Sequence, residues 1–156
     1  MAHSFTCKIY LFVFTVLIGL SVQAAPENPP SPPQGEIDFE GYTILYSTFN
    51  SLFIPADIAK LHKLVRGKDQ TLINISVQSK TLKKAVAAKV EATAKNLVQQ
   101  SKIIKFKTID EPGAIYYIGS LRHTNEEILH IDFNILPEGE STPLQFRITR
   151  KLYTEN

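Results

Sequence analysis

The chain has 156 residues, 44% of them apolar and 21% charged, which is enough for one domain behind a targeting segment and too little for a multidomain enzyme. Lys and Arg number 17 against 15 Asp and Glu, a net charge of +2 that lacks the basic footprint of a nucleic-acid binder, so no nucleic-acid partner is expected. A single Cys and no Trp remove most thiol chemistry.

The first eight residues carry one positive charge and precede a 14-residue apolar run, residues 9–22 (IYLFVFTVLIGLSV), followed by Gln23-Ala24-Ala25. A short charged head, an apolar stretch and a small-residue cleavage site read as a secretory signal cut after Ala24. The run falls short of the roughly 20 residues of a spanning helix, so no transmembrane segment is expected in the mature chain; an uncleaved N-terminal anchor is the rival reading. Cleavage removes the only Cys, Cys7, which precedes the apolar run rather than following it as a lipoprotein cysteine would. The exported chain therefore has no disulfide and relies on its core alone, for which 132 residues (156 less 24) suffice. Residues 25–36 (APENPPSPPQGE) hold five prolines and read as an extended spacer, with the folded domain running from Ile37 to Asn156.

From Ile37 onward the apolar period is mostly two, the mark of half-buried strands. Tyr42, Ile44 and Tyr46 alternate with Thr43, Leu45 and Ser47, and Leu72, Ile73, Ile75 and Val77 mark a second strand after a turn at Gly67-Lys68-Asp69. Between them, Pro55 stands at a helix start and Ile58, Leu61 and Leu64 recur at helical spacing, which predicts one short helix over an end of the sheet. Residues 83–95 fit both periods: composition favours helix, while the unbroken alternation and the flanking strands favour strand. Ile104 and Phe106, residues 114–123, 127–136 and 144–152 complete the series, and residues 127–136 (EILHIDFNIL) alternate most cleanly. About seven strands with turns every 8 to 12 residues predict an all-β, immunoglobulin-like antiparallel sandwich.

An ordered set of motifs adds to this reading. The run from Tyr46 to Pro55 (YSTFNSLFIP) with Ala59, Leu72 to Val77 (LINISV), Asn96-Leu97, Ala114 to Ile118 (AIYYI) and Asn125-Glu126-Glu127 resembles a family of small exported proteins of Gram-negative bacteria, domain of unknown function family 4426. The resemblance spans Gly41 to Tyr153 and implies a periplasmic address, the immunoglobulin-like sandwich and the strand reading of residues 83–95. It implies no activity, cofactor or catalytic residue. The family commonly has Gly where this chain has Glu91-Ala92.

Residues with chemical potential are few. His123, Glu126, Glu127 and His130 surround one hairpin turn, and His123, Glu127 and His130 are the alternative as metal ligands; ordinary turn polarity is the simpler account. Asp132, beside His130 and Asn134, faces a row of Arg147, Thr149 and Lys151, so a cross-strand charge ladder is expected in preference to acid–base work. Neither a G-x-S-x-G, an S-x-x-K, a P-loop nor a G-x-G-x-x-G is present, and no catalytic residue or cofactor is expected. Asn74-Ile75-Ser76 matches the glycosylation pattern by chance in a strand-like setting. Tyr116 and Tyr117 fall on opposite faces of one strand, so one of them is free for a surface. Arg66, Lys68, Lys80, Lys83 and Lys84 gather at turns beside the Leu72 strand, as solvated lysines or as an anion-facing cluster.

These readings converge on a non-enzymatic periplasmic module that binds an envelope protein through a sheet edge or end loops, with Asn50, Arg66, Asn74 and Tyr116 as candidate contacts. A small-ligand or metal carrier using the hairpin from His123 to His130 is the alternative, and an unrecognised hydrolase the third reading.

Overall fold

The computed structural model describes residues 34–155. The signal, its cleavage site, Cys7 and residues 25–33 of the spacer lie outside the described residues. In chain order the strands are β1 (Gln34–Asp38), β2 (Tyr42–Asn50), β3 (Gln70–Ser79), β4 (Lys84–Ala85), β5 (Ala88–Asn96), β6 (Ser101–Ile104), β7 (Phe106–Glu111), β8 (Ala114–Arg122), β9 (Glu127–Pro137) and β10 (Leu144–Leu152). A 3-10 turn (Ser51–Phe53) and a short helix α1 (Ala56–Leu61) intervene between β2 and β3.

The strands form the expected antiparallel sandwich. Sheet A has the order β1-β2-β3-β8-β7, with β4 beside the end of β3, and sheet B has the order β10-β9-β5-β6. The excess over about seven strands comes from three places. The stretch read as one strand over residues 83–95 breaks at Val86-Ala87, the Ile104 to Phe106 run divides between the sheets, and β1 is new. β1 also corrects the spacer boundary: Gln34, Gly35 and Glu36 pair with Ser47, Tyr46 and Leu45 of β2. An edge strand is held by its backbone ladder and needs no apolar row of its own, so alternation does not reveal it.

Alternation decides which side chains face inward. Ile44 of β2, Ile73, Ile75 and Val77 of β3, and Tyr117 and Leu121 of β8 meet Ala92 and Ala94 of β5, Ile104 of β6, Leu129, Ile131, Phe133 and Ile135 of β9, and Ile148 and Leu152 of β10. Aromatic rings run through this interior: Phe133 and Phe146 stack with centroids 4.7 Å apart, with Phe106 at 6.4 Å from Phe133 and Tyr46 and Phe39 each at 6.3 Å from Phe146. Arg150 closes that edge, its guanidinium 5.5 Å from the Tyr46 ring centre and donating to the Tyr46 hydroxyl at 3.1 Å. His123 follows the inward row of Tyr117 and Leu121, is buried, and shares a 2.9 Å hydrogen bond with the Thr71 hydroxyl.

The helix departs from its expected packing. It ends at Leu61, two residues before Lys63 takes a left-handed φ of 50°, and it buries Ala59 rather than Ile58 and Leu61, which are exposed. Asn50, Ser51 and Gly67 pull the two ends of this segment together: the Asn50 amide donates to the Lys68 carbonyl at 2.9 Å, and the Gly67 N–H donates to the Ser51 hydroxyl at 2.9 Å. The result is a cap over the outer face of sheet A. Leu72, fully buried yet on an outward row, is withdrawn from water beneath it, and Lys107 of β7 donates to the His62 carbonyl across the sheet.

Ile104 ends β6 in sheet B and Phe106 begins β7 in sheet A, so the chain changes sheets within one residue. The crossing needs space. Opposite Phe106 on β8 stands Gly119, where a Cβ would lie 2.6 Å from Ile104 Cγ2 and 2.9 Å from the Phe106 ring. The backbone there has no left-handed requirement, so the constraint is steric. Gly119→Ala is expected to lower the unfolding free energy by about 1–3 kcal/mol through overpacking, read as a lower urea midpoint at unchanged slope; an unaltered midpoint would show that the crossing has room to spare.

Candidate functional site

Beyond the cap, the outer face of sheet A is hollow. The outward row of β3 is Asn74, Ser76 and Gln78; across the ladder on β2 stand Ser47, Leu45 and Thr43, and on β8 Tyr116 and Ala114 share the face. Small hydroxyl side chains in the centre and larger groups at the rim leave a groove of about 590 Å³, bounded by Glu36 of β1, Leu45 and Tyr116. Ser47 and Ser76 are buried in its floor, and the Gln78 amide donates to the Ser76 hydroxyl at 3.0 Å. The Asn74 carbonyl oxygen is buried without any hydrogen-bond partner. A buried acceptor left unmatched destabilises a fold by about 1–3 kcal/mol, so an amide in that position calls for a reason outside folding.

A larger hollow of about 1210 Å³ lies at sheet B, lined by apolar groups that include Ile103, Phe106, Phe133 and Phe146 and by the polar Glu91, Thr93, Asp132, Asn134, Gln145 and Arg147. Its groups already satisfy one another. Arg147 makes a two-pronged bond to Asp132, 2.5 and 2.9 Å, Gln145 donates to Asn134 at 3.0 Å, and Lys89 pairs with Glu91 at 2.8 Å. The Arg147 guanidinium holds the Asp132 carboxyl below its ordinary range, so it is a carboxylate at neutral pH with no proton to give. The cross-strand ladder expected for Asp132 is thus present, with His130 bonded to Thr149 at 2.8 Å as its next rung. The groove on sheet A keeps an unmatched polar atom and is the stronger candidate site.

The four candidate contacts separate into two pairs. Asn74 and Tyr116 line the groove together. Asn50 and Arg66 belong to the cap and are engaged in building it: the Asn50 carbonyl oxygen accepts from Leu52 N–H at 2.9 Å, and Arg66 donates to the Leu52 carbonyl at 3.2 Å. Ser47, Ser76 and Gln78 were not singled out from the sequence. The signal available was the run of small polar residues on one row of two central strands, where a sheet covered on both faces would carry aliphatic groups.

The hairpin from His123 to His130 does not gather its polar groups. His123 is enclosed, its second ring nitrogen 2.9 Å from the Thr124 carbonyl, while His130 lies on the outer face of sheet B. Glu127, with 11% of its side chain exposed, caps the turn: it accepts from Thr124 N–H at 2.9 Å and Asn96 at 3.3 Å, with Lys102 at 3.9 Å. Burial pushes the Glu127 carboxyl up, but these donors and the Lys102 charge outweigh it and hold the group below its ordinary range.

Comparisons with known proteins place this geometry. The family model described as a domain of unknown function (DUF4426) matches residues 36–155. A crystal structure of a DUF4426 family protein from Pseudomonas aeruginosa PAO1 is similar at 27% identity and a TM-score of 0.71, covering 79% of this chain and 97% of that one. FetP of uropathogenic Escherichia coli strain F11, expressed in the periplasm of E. coli, shares the fold at 9% identity and a TM-score of 0.58, covering 81% and 97% of the two chains. A copper-bound variant of FetP is similar at 9% identity and a TM-score of 0.55, covering 80% and 97%. No curated protein matches. No helix among the described residues is long and apolar enough to cross a membrane.

Two outcomes follow from the site. Asn74→Val, which replaces the unmatched amide by a strand-favouring group, is expected to stabilise the protein by about 1 kcal/mol and raise its thermal midpoint by several degrees; a lowered midpoint would mean that the amide is satisfied. The lowered Glu127 pKa makes its contribution complete above the unfolded value of about 4.3 and lost as pH falls through the folded one. Urea unfolding at pH 7 and at pH 3 is expected to show a smaller acid loss of stability in Glu127→Gln than in the wild type, and equal losses would remove Glu127 from the account.

Proposed function

For a chain that belongs to the DUF4426 family, we propose a non-enzymatic binding role in the bacterial periplasm, in which the groove on sheet A holds a segment of an envelope protein. The observation that carries this reading is the Asn74 carbonyl oxygen, buried without a partner in the floor of a groove lined by hydroxyls, an amide and Tyr116. It asks for a hydrogen-bond donor, which an amide or hydroxyl of a polypeptide supplies. Glu36 and Gly35 of β1 border the same groove, and β1 is an end strand of sheet A among the described residues, so its ladder offers an edge for an added strand. Tyr116 supplies the broad, two-torsion contact surface that dominates many protein interfaces. The secretory signal read from residues 1–24 supports the periplasmic address.

A metal carrier is the second reading, favoured by the copper bound to the FetP variant. It would need His123, Glu127 and His130 to converge, and they face different ways; among the described residues no three His, Cys, Asp or Glu are placed to hold a metal ion. A hydrolase would need a free acid or nucleophile with a base, and the acids of the larger hollow are paired.

The test is site-specific photo-crosslinking in living Gram-negative cells, with the reactive side chain placed at Leu45 on the groove rim or, as a control, at Ile103 on the far sheet. Capture of one envelope protein from position 45 alone is expected, weakened at least tenfold by Tyr116→Ala. The same products from both positions, or capture indifferent to Tyr116→Ala, would rule out the groove. A rise in thermal midpoint with Cu²⁺ or Zn²⁺ would turn the reading to the carrier.

A further inference from the structure

The cap inverts the usual arrangement of a surface helix. An amphipathic helix turns its large apolar residues to the core, but α1 turns Ala59 to the sheet and presents Ile58 and Leu61, one turn apart, to solvent at 41% and 72% exposure. Phe53 and Val65 are exposed at 55% and 59%, and Leu52 is exposed beside them, since Arg66 and Gly67 are hydrogen-bonded to Leu52 and Ser51. Five of the eleven exposed large apolar side chains described thus come from a single cap of fewer than twenty residues. The cap is also basic. Lys60, Lys63, Arg66 and Lys68 face one acid, Asp57, a local balance of +3 with His62 neutral, in a chain whose net charge is only +2. Lys107 of β7, tied to the His62 carbonyl, adds a fifth cation at its border.

An apolar centre with a basic rim matches an interface of one kind, the surface of an anionic bilayer, where apolar side chains enter the headgroup boundary and lysines remain among the phosphates. A protein surface would need its own apolar hollow ringed by free acids; the hollow at sheet B has apolar walls, but its acids, Glu91 and Asp132, are already paired with Lys89 and Arg147. From the charge complementarity and the outward-turned apolar groups we infer that the cap, residues 51–68, is a docking surface for anionic phospholipid membrane. The cap is built for this by the hydrogen bonds of Asn50 and Ser51, which hold its shape without consuming Phe53, Ile58, Leu61 or Val65. This inference is independent of the groove.

The test uses the full chain with Cys7→Ser and an environment-sensitive fluorophore on Leu61→Cys or, separately, on Ile103→Cys. The second position controls for any insertion by the N-terminal apolar run. Vesicles of phosphatidylethanolamine and phosphatidylglycerol are expected to blue-shift the probe at position 61 and not at 103, while phosphatidylcholine vesicles leave both unchanged. Lys60→Gln, Lys63→Gln and Lys68→Gln together, all on the exposed surface, are expected to weaken the response about a hundredfold, at about 1 kcal/mol for each charge. An unshifted probe at 61, an equal shift at 103, or an equal response to phosphatidylcholine would overturn the proposal. So would a shift that grows with protein concentration in the absence of lipid, which would assign the patch to self-association.

Discussion

The sandwich depends on one crossing. Residue 105 carries the chain from Ile104 in sheet B to Phe106 in sheet A, and a single residue spans the gap only where the two sheets approach closely. Gly119 grants that approach by having no side chain opposite Phe106, and the Phe106 ring fills the space so made. With this edge pinned, the separation of the sheets elsewhere is set by what fills it. The rings of Phe133 and Phe146 occupy the middle, and Tyr46, Phe39 and Arg150 shut the opposite edge. Close packing of this kind holds the two sheets together without a disulfide among the described residues, which contain no Cys.

Because the inward rows are committed to that interior, binding chemistry is left to the two outer faces, and these differ. On sheet B the outward residues are long and charged, and they neutralise one another along the ladder, Arg147 with Asp132 and Lys89 with Glu91. Such a face is solvated and self-sufficient. On sheet A the outward residues of the central strands are short, Ser47 and Ser76, so the face sinks between Glu36, Leu45 and Tyr116. The penalty of the unmatched Asn74 oxygen is borne by the fully buried Ile73, Ile75 and Val77 on the other side of the same strand.

Much of this was legible in the alternation of residues. Leu129, Ile131, Phe133 and Ile135 against His130, Asp132 and Asn134 gave β9 and its wet face, and the same period set Tyr116 and Tyr117 on opposite faces of β8, of which the structure buries Tyr117. The Ala-rich stretch resolved as strand because Ala92 and Ala94 face Phe133 and Ile131 across the ladder, where small groups make room for the aromatic stack. What the period could not show was the environment of a face. Ile58 and Leu61 have helical spacing, but spacing alone does not say which side of a six-residue helix meets the sheet, and the smaller Ala59 allowed the closer approach. Ser47 and Ser76 went unnoticed for a related reason: small polar residues in a strand become a groove floor only through what stands beside them. Asn50 and Arg66 were also read as contacts, and their hydrogen bonds to the backbone of the cap are long-range facts of the fold that local spacing does not show.

Groove and cap share the outer face of sheet A, separated by little more than Ile118 on β8 and the step from Leu72 to Asn74 on β3. Their proximity constrains any partner. A cap resting on a bilayer brings the groove beside the headgroups, so that a segment reaching Asn74 and Tyr116 belongs to a protein at the membrane surface and approaches along the plane of the lipid. The paired charges of sheet B then face the aqueous space, where mutual neutralisation keeps that face indifferent to passing polyions. The inverted helix and the shortened outward row thus lie on one face of sheet A, opposite the self-paired charges of sheet B.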